Sequence, residues 1–154
     1  MNEMRRKDRA ISEEEAKHVL INGEYGILST LSENGEPYGV PLSYCVVEDS
    51  IYFHCAVEGK KLEHFNHNKL VSFCVVGKTE VLPKKFSTKY ESIIISGNIE
   101  EVFDIEKQIG MEGLIHKYSP DHFEKGLKYI SAENNETKVF KITVNHISGK
   151  ARKQ

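Results

Sequence analysis

The sequence predicts a mainly β protein, an antiparallel barrel of about six strands with short helices at its margins. Three observations carry that expectation. Apolar runs of strand length recur, rich in β-branched and aromatic residues. Tight-turn signals such as Asn34-Gly35 separate them. A late stretch, from Ile105 to Leu127, has helical rather than alternating spacing. Closing such a sheet into a barrel removes exposed edges.

Ser12 followed by Glu15 forms a capping box that opens a helix through Val19, Leu20 and Ile21, and Asn22-Gly23 is its stop. Glu24 to Leu31 is a first strand. Glu33-Asn34-Gly35-Glu36 makes the hairpin turn, and Pro37 to Val47 returns as a second strand. Glu48-Asp49-Ser50 then turns the chain into a third, Ile51 to Ala56. Leu62 and Phe65, three apart after Gly59, fit one or two helical turns packed on the sheet before Asn66-His67-Asn68 breaks them. Leu70 to Val76 and the longer Tyr90 to Val102 continue the sheet, with a bend at Gly97. Ile105, Ile109, Met111, Leu114, Ile115 and Tyr118 keep helical spacing, and Ser119-Pro120 opens a second helix using Phe123 and Leu127. Thr137 to Ile147 alternates again, with Phe140, Ile142 and Val144 on one side.

The length of 154 residues suits one domain spanning 1–154, without a linker rich enough in Gly, Ser or Pro to divide it. With 39% hydrophobic and 29% charged residues the chain should fold as a soluble globule. A net charge of -2 leaves no global positive field for nucleic acid, so any anion site must be local. No apolar run approaches membrane-spanning length, and Met1 to Lys17 is too charged for a signal peptide, so a cytoplasmic location is expected. Cys45, Cys55 and Cys74 are odd in number, lack CxxC spacing and sit in apolar runs. They read as core residues rather than a disulfide framework.

The first chemical signal is Pro41, within Tyr38-Gly39-Val40-Pro41-Leu42-Ser43-Tyr44. Proline has no amide hydrogen to give a sheet ladder, so this is either an ordinary edge strand or one with something other than a strand beside it. Gly39 removes side-chain bulk there, which lets a flat ring approach the backbone. The second signal is Phe53-His54-Cys55-Ala56-Val57-Glu58-Gly59-Lys60-Lys61. A strand ends, a glycine loop follows, and two lysines stand where a helix begins, so free amides and ammonium groups can converge on one phosphate. A solvated helix start is the alternative. Neither GxGxxG nor GxxxxGK[ST] occurs, which leaves Rossmann and Walker sites unsupported.

Pro41-Leu42-Ser43-Tyr44, then Ile51-Tyr52-Phe53-His54-Cys55-Ala56, then Gly59-Lys60-Lys61-Leu62 together resemble the pyridoxamine phosphate oxidase-like flavoproteins, and more closely their nitroimidazole-resistance branch. The opening Met4 to Arg9 and the ending Ile147 to Ala151 also resemble that branch. The resemblance implies a split β-barrel homodimer with FMN at the subunit interface. It implies that Val40, Pro41, Leu42 and Ser43 line the isoalloxazine ring, and that Phe53, His54, Cys55 and Ala56 follow the ribityl chain and phosphate. Lys60 and Lys61 would be the phosphate cations, and Ser92 a polar contact to the flavin. The oxidases have Ser-Arg-Lys where this chain has Gly59-Lys60-Lys61, so a point charge replaces a bidentate guanidinium. Their C-terminal substrate motif, with its Arg and His, has no match in Val144 to Gly149, which speaks against the vitamin reaction.

The resulting expectation is an FMN-dependent oxidoreductase that reduces a small, nitroaromatic-type acceptor. Its rival keeps the fold but makes the protein a flavin- or haem-binding sensor without turnover. His54 is the candidate catalytic residue, poised for proton relay near neutral pH, with a hydrogen-bonded barrel histidine as the alternative. His64 and His67 lack a nearby Cys or carboxylate at ligand spacing, so surface histidines are the simpler account and no metal site is expected. The late helices, Ile109 to Ile130, are expected to wall a substrate pocket.

Overall fold

A computed structural model describes residues 3–154. Helix α1 (Glu13–Asn22) begins at the capping box: Ser12 accepts from the Glu15 amide at 3.1 Å, and Ala16, Val19 and Leu20 form the buried stripe. Strand β1 (Gly26–Leu31) pairs with β2 (Pro37–Leu42) through the Asn34-Gly35 turn. Strand β3 (Cys45–Val47) then pairs with β4 (Ser50–Ala56) across Glu48 and Asp49, whose φ values of 48° and 68° are those of a primed hairpin turn. Helix α2 (Lys60–His67) follows, then β5 (Leu70–Leu82), β6 (Ser87–Val102), α3 (Asp104–Tyr118), α4 (Phe123–Glu133) and β7 (Thr137–Arg152).

Seven strands, not about six, form one antiparallel sheet in the order β2-β1-β5-β6-β7-β4-β3. The added strand arises because Pro37 to Val47 is not continuous. Tyr44 is fully buried in the core, and its hydroxyl donates to the Leu20 carbonyl, so the chain turns inward at Ser43-Tyr44 and divides into β2 and β3. That link carries the chain from one border of the sheet to the other. No pairing joins β2 to β3, so the barrel stays split and its edges are not all removed.

Two cores hold the fold. The barrel interior packs Leu28, Phe53, Phe73, Ile93, Ile95 and Ile142 with the α1 stripe. A second core lies outside the barrel, where Tyr52 and Val139 meet Met111 and Leu114 of α3 and Ile130 of α4. This explains why Ile51-Tyr52-Phe53 is apolar without alternation: inward residues serve one core and Tyr52 the other. The helical pair is therefore structural cover as well as a pocket wall. Deleting it would strip the outer face of β4 and β7.

The β5–β6 hairpin runs beyond the expected boundaries and ends at Phe86, which is 96% exposed with φ 50°. The bend at Gly97 coincides with a register shift against β7 between Ser96 and Gly97, and an added side chain there would collide with the Thr143 carbonyl. Burial raises the Cys45 thiol to about 11, so it stays protonated, and all three cysteines are free.

Candidate functional site

The site is built around α2. Its buried face holds Phe65, whose ring lies 4.8 Å from Phe140 and 6.1 Å from Phe53 between centroids. His64 is 6% exposed and its Nδ1 shares a 2.7 Å hydrogen bond with the Thr30 hydroxyl of β1. The surface reading of His64 is thus corrected: it anchors the helix, whereas His67 is exposed. No cluster of metal-ligating side chains occurs among the described residues.

Docked in this way, α2 presents its first turn outward. Gly59 precedes it at φ 147° and ψ 168°, a conformation essentially restricted to glycine, and no side chain caps the helix. Lys60 and Lys61 form no ion pair among the described residues. Uncapped amides and two unpaired cations fit a phosphate group. Replacing Gly59 with Ala should cost about 1–3 kcal/mol. Urea denaturation of the two proteins checks this value, and an unchanged midpoint would refute the strain.

Lys60 also reaches sideways, its Nζ lying 5.5 Å from the Tyr38 ring centroid, and Tyr38 packs edge-on against His64 at 5.5 Å. Tyr38 thus couples the lysine pair to the start of β2. It escaped the sequence reading, although it stands beside Gly39 at the head of the Pro41 run. Pro41 lies three residues farther on, about 10 Å of strand. Strand β2 is an edge strand, as its proline predicts, and pairs only with β1. Pro41 is exposed, whereas the Val40 and Leu42 side chains pack inward.

Strand β4 borders the same split. Short β3 covers only Ser50 to Tyr52, so the β4 edge from Phe53 to Ala56 is open on that side. Phe53 is fully buried and Cys55 packs on the barrel core. His54 and Ala56 point outward and are exposed. Among the described residues no side-chain hydrogen bond holds His54, and desolvation by its surroundings lowers its pKa. The imidazole is therefore mainly neutral at pH 7.

Ser43 and His54 meet at a cavity of about 560 Å³ whose other walls are α3 and α4, the helices expected to flank a pocket. A second cavity of about 610 Å³ lies beyond Ser43 and Tyr118, which line both. Lys117 also lines the second cavity. Its Nζ donates to the Tyr44 carbonyl at 2.9 Å and lies 3.6 Å from the Tyr44 ring centroid, while the Tyr118 hydroxyl accepts from the Tyr44 amide at 3.1 Å. The Ser43-Tyr44 link is thereby clamped from α3, which no local sequence signal announced.

Burial pushes the Lys117 ammonium down to about 8 from its ordinary 10.5. Below about pH 8 both states carry the charge, but only the folded state holds it partly desolvated. Stability should therefore rise from about pH 8 to about 10.5 through this group, and Lys117→Met should flatten the rise. Unfolding free energies measured across that window test it, and parallel profiles would refute it.

Ser92 stands apart. It lies on β6, three strands or about 14 Å from β2, too far for its side chain to reach a ligand on β2 within one chain. It does share the sheet's outer face with Ile94. On that face the register aligns Pro41, Ile27, Cys74 and Ile94 in one cross-strand row, beside a row of Gly39, Ser29, Ser72 and Ser96.

The fold is a split antiparallel barrel with a cation-bearing helix start beside its open edge. Residues 12–151 match the family model of pyridoxamine 5'-phosphate oxidase, and the chain belongs to that family. No curated protein matches the sequence. Among solved structures it is similar to a candidate 5-nitroimidazole antibiotic resistance protein from Bacteroides thetaiotaomicron, with 22% identity, coverage of 92% of this chain and 85% of that one, and a TM-score of 0.75. It is similar to a FAD-binding protein from Mesorhizobium loti, at 25% identity, 94% and 97% coverage and a TM-score of 0.65. The flavocytochrome Anf3 from Azotobacter vinelandii gives 18% identity, 99% and 73% coverage and a TM-score of 0.84. No helix of the described residues is long and apolar enough to cross a membrane.

Proposed function

We propose that the protein is an FMN-dependent oxidoreductase that reduces a small acceptor, nitroaromatic compounds being the first class to test, and that it acts as a cytoplasmic homodimer with FMN at the subunit interface. The observation that carries this reading is a single path along the split. Lys60 and Lys61 stand at one end, the open edges of β2 and β4 in the middle, and Ser43 with His54 at the cavity end. The names of the flavin-binding neighbours support it.

FMN, when bound, supplies the redox chemistry. The chain's residues do the rest. Lys60 and Lys61 would neutralise the phosphate, and Val40, Pro41, Leu42, Ser43, Phe53, Cys55 and Ala56 would shape the bed of the cofactor. Neutral His54 presents one donor and one acceptor nitrogen to the molecule in the cavity, and so orients it. The apolar row Pro41–Ile27–Cys74–Ile94 is the surface a second copy would cover. Ser92, on the same face, would then serve the partner's cofactor.

Purified protein should be yellow, release FMN rather than FAD on heating, and oxidise a nicotinamide donor when a nitroaromatic is added. A Soret band would overturn the FMN assignment in favour of a haem protein. Light scattering should give twice the chain mass, and a monomer that still binds FMN would remove the interface from the reading.

A further inference from the structure

We propose that the cavity bounded by β4, α3 and α4 selects an apolar organic acid, a ring-sized molecule carrying one carboxylate. This inference rests on the flavin reading for its place beside the redox centre, but its evidence is the cavity's own chemistry. At about 560 Å³ it has the size of a small-molecule site. Its floor is apolar, made by Met111, Leu114, Ile115 and Ile130. A ring resting there gains by leaving water.

The polar groups have one sign. No carboxylate lines the cavity, and the only permanently charged side chain in the lining is Lys125, which makes no ion pair among the described residues. Tyr129 stands four residues after Lys125, so both lie along one side of α4, and His122, just before the helix starts, lines the same cavity. Each can donate a hydrogen bond to an oxygen. A carboxylate satisfies the lysine, a carboxamide leaves its charge unmatched, and an ammonium ion is repelled. His54, on the opposite wall, adds a neutral polar group rather than a second charge.

The test titrates FMN-loaded protein with naphthoate, naphthamide and naphthylmethylammonium, reading heat by calorimetry and the flavin absorption band. Loaded FMN occupies Lys60 and Lys61, so those lysines do not compete for the acid. Naphthoate should bind about fivefold tighter than the amide, with the ammonium weakest. Lys125→Gln, on an exposed position, should bring acid and amide within about twofold while FMN uptake stays unchanged. Equal affinity of native protein for acid and amide would overturn the inference, as would an acid preference that survives Lys125→Gln combined with His122→Gln. Should the protein take up no FMN, calorimetry on the flavin-free chain, with Lys60→Ala/Lys61→Ala as control, still reads the acid preference. Failure of the flavin assignment and failure of the acid assignment are then separate results.

Discussion

Replacing Lys60 and Lys61 together with alanine is expected to weaken FMN binding by about a hundredfold while changing riboflavin binding by about twofold at most. Hydrogen bonds to charged groups contribute about 1.5–3 kcal/mol each, so two cations at the low end supply about 3 kcal/mol, or two powers of ten. Riboflavin lacks the phosphate and gains nothing from them. Both lysines sit at the surface-facing start of α2, outside either core, so the fold should persist. Titration of each ligand by flavin fluorescence gives the comparison. Equal losses for the two flavins would show that the lysines act on the helix rather than on the phosphate.

Phe65→Ala should produce the largest stability change, a loss of about 3–5 kcal/mol. The ring is 1% exposed and packs against both Phe53 and Phe140, so truncation leaves a cavity between α2 and the barrel. The effect reaches the site because Phe65 fixes the helix that carries Lys60 and Lys61. FMN affinity should therefore fall with stability, and Phe65→Leu, which keeps most of the volume, should recover most of both. Urea unfolding and FMN titration of the same three proteins decide this. Full FMN affinity in a destabilised Phe65→Ala protein would mean that α2 holds its position through His64–Thr30 alone.

Several features of the site were legible because they are local. Pro41 announces an edge strand through its missing amide hydrogen, and β2 is one. Gly59 followed by two lysines announces a helix start bearing charge, and α2 begins at Lys60. Others were hidden because they depend on what lies opposite in space. His64 looks like any polar helical residue until Thr30 of β1 is placed against it at 2.7 Å. Tyr44 looks like a strand residue until its buried hydroxyl meets the end of α1, which is why one expected strand became β2 and β3. Ser92 is placed at the site by resemblance, yet two strands, β1 and β5, separate its strand from β2 in its own chain.

The sequence by itself determined the fold class, the cap of the first helix, the turn positions and the chemical character of the segment from Phe53 to Lys61. These follow from propensity and periodicity, which act between residues a few positions apart. Only the tertiary structure decided which border of the sheet stays open, that α3 and α4 cover a second core, and that Ser43, His54 and Lys125 face one cavity. The three cavity residues stand from 11 to 82 positions apart. Long-range packing, and not local preference, sets their distances and their charges.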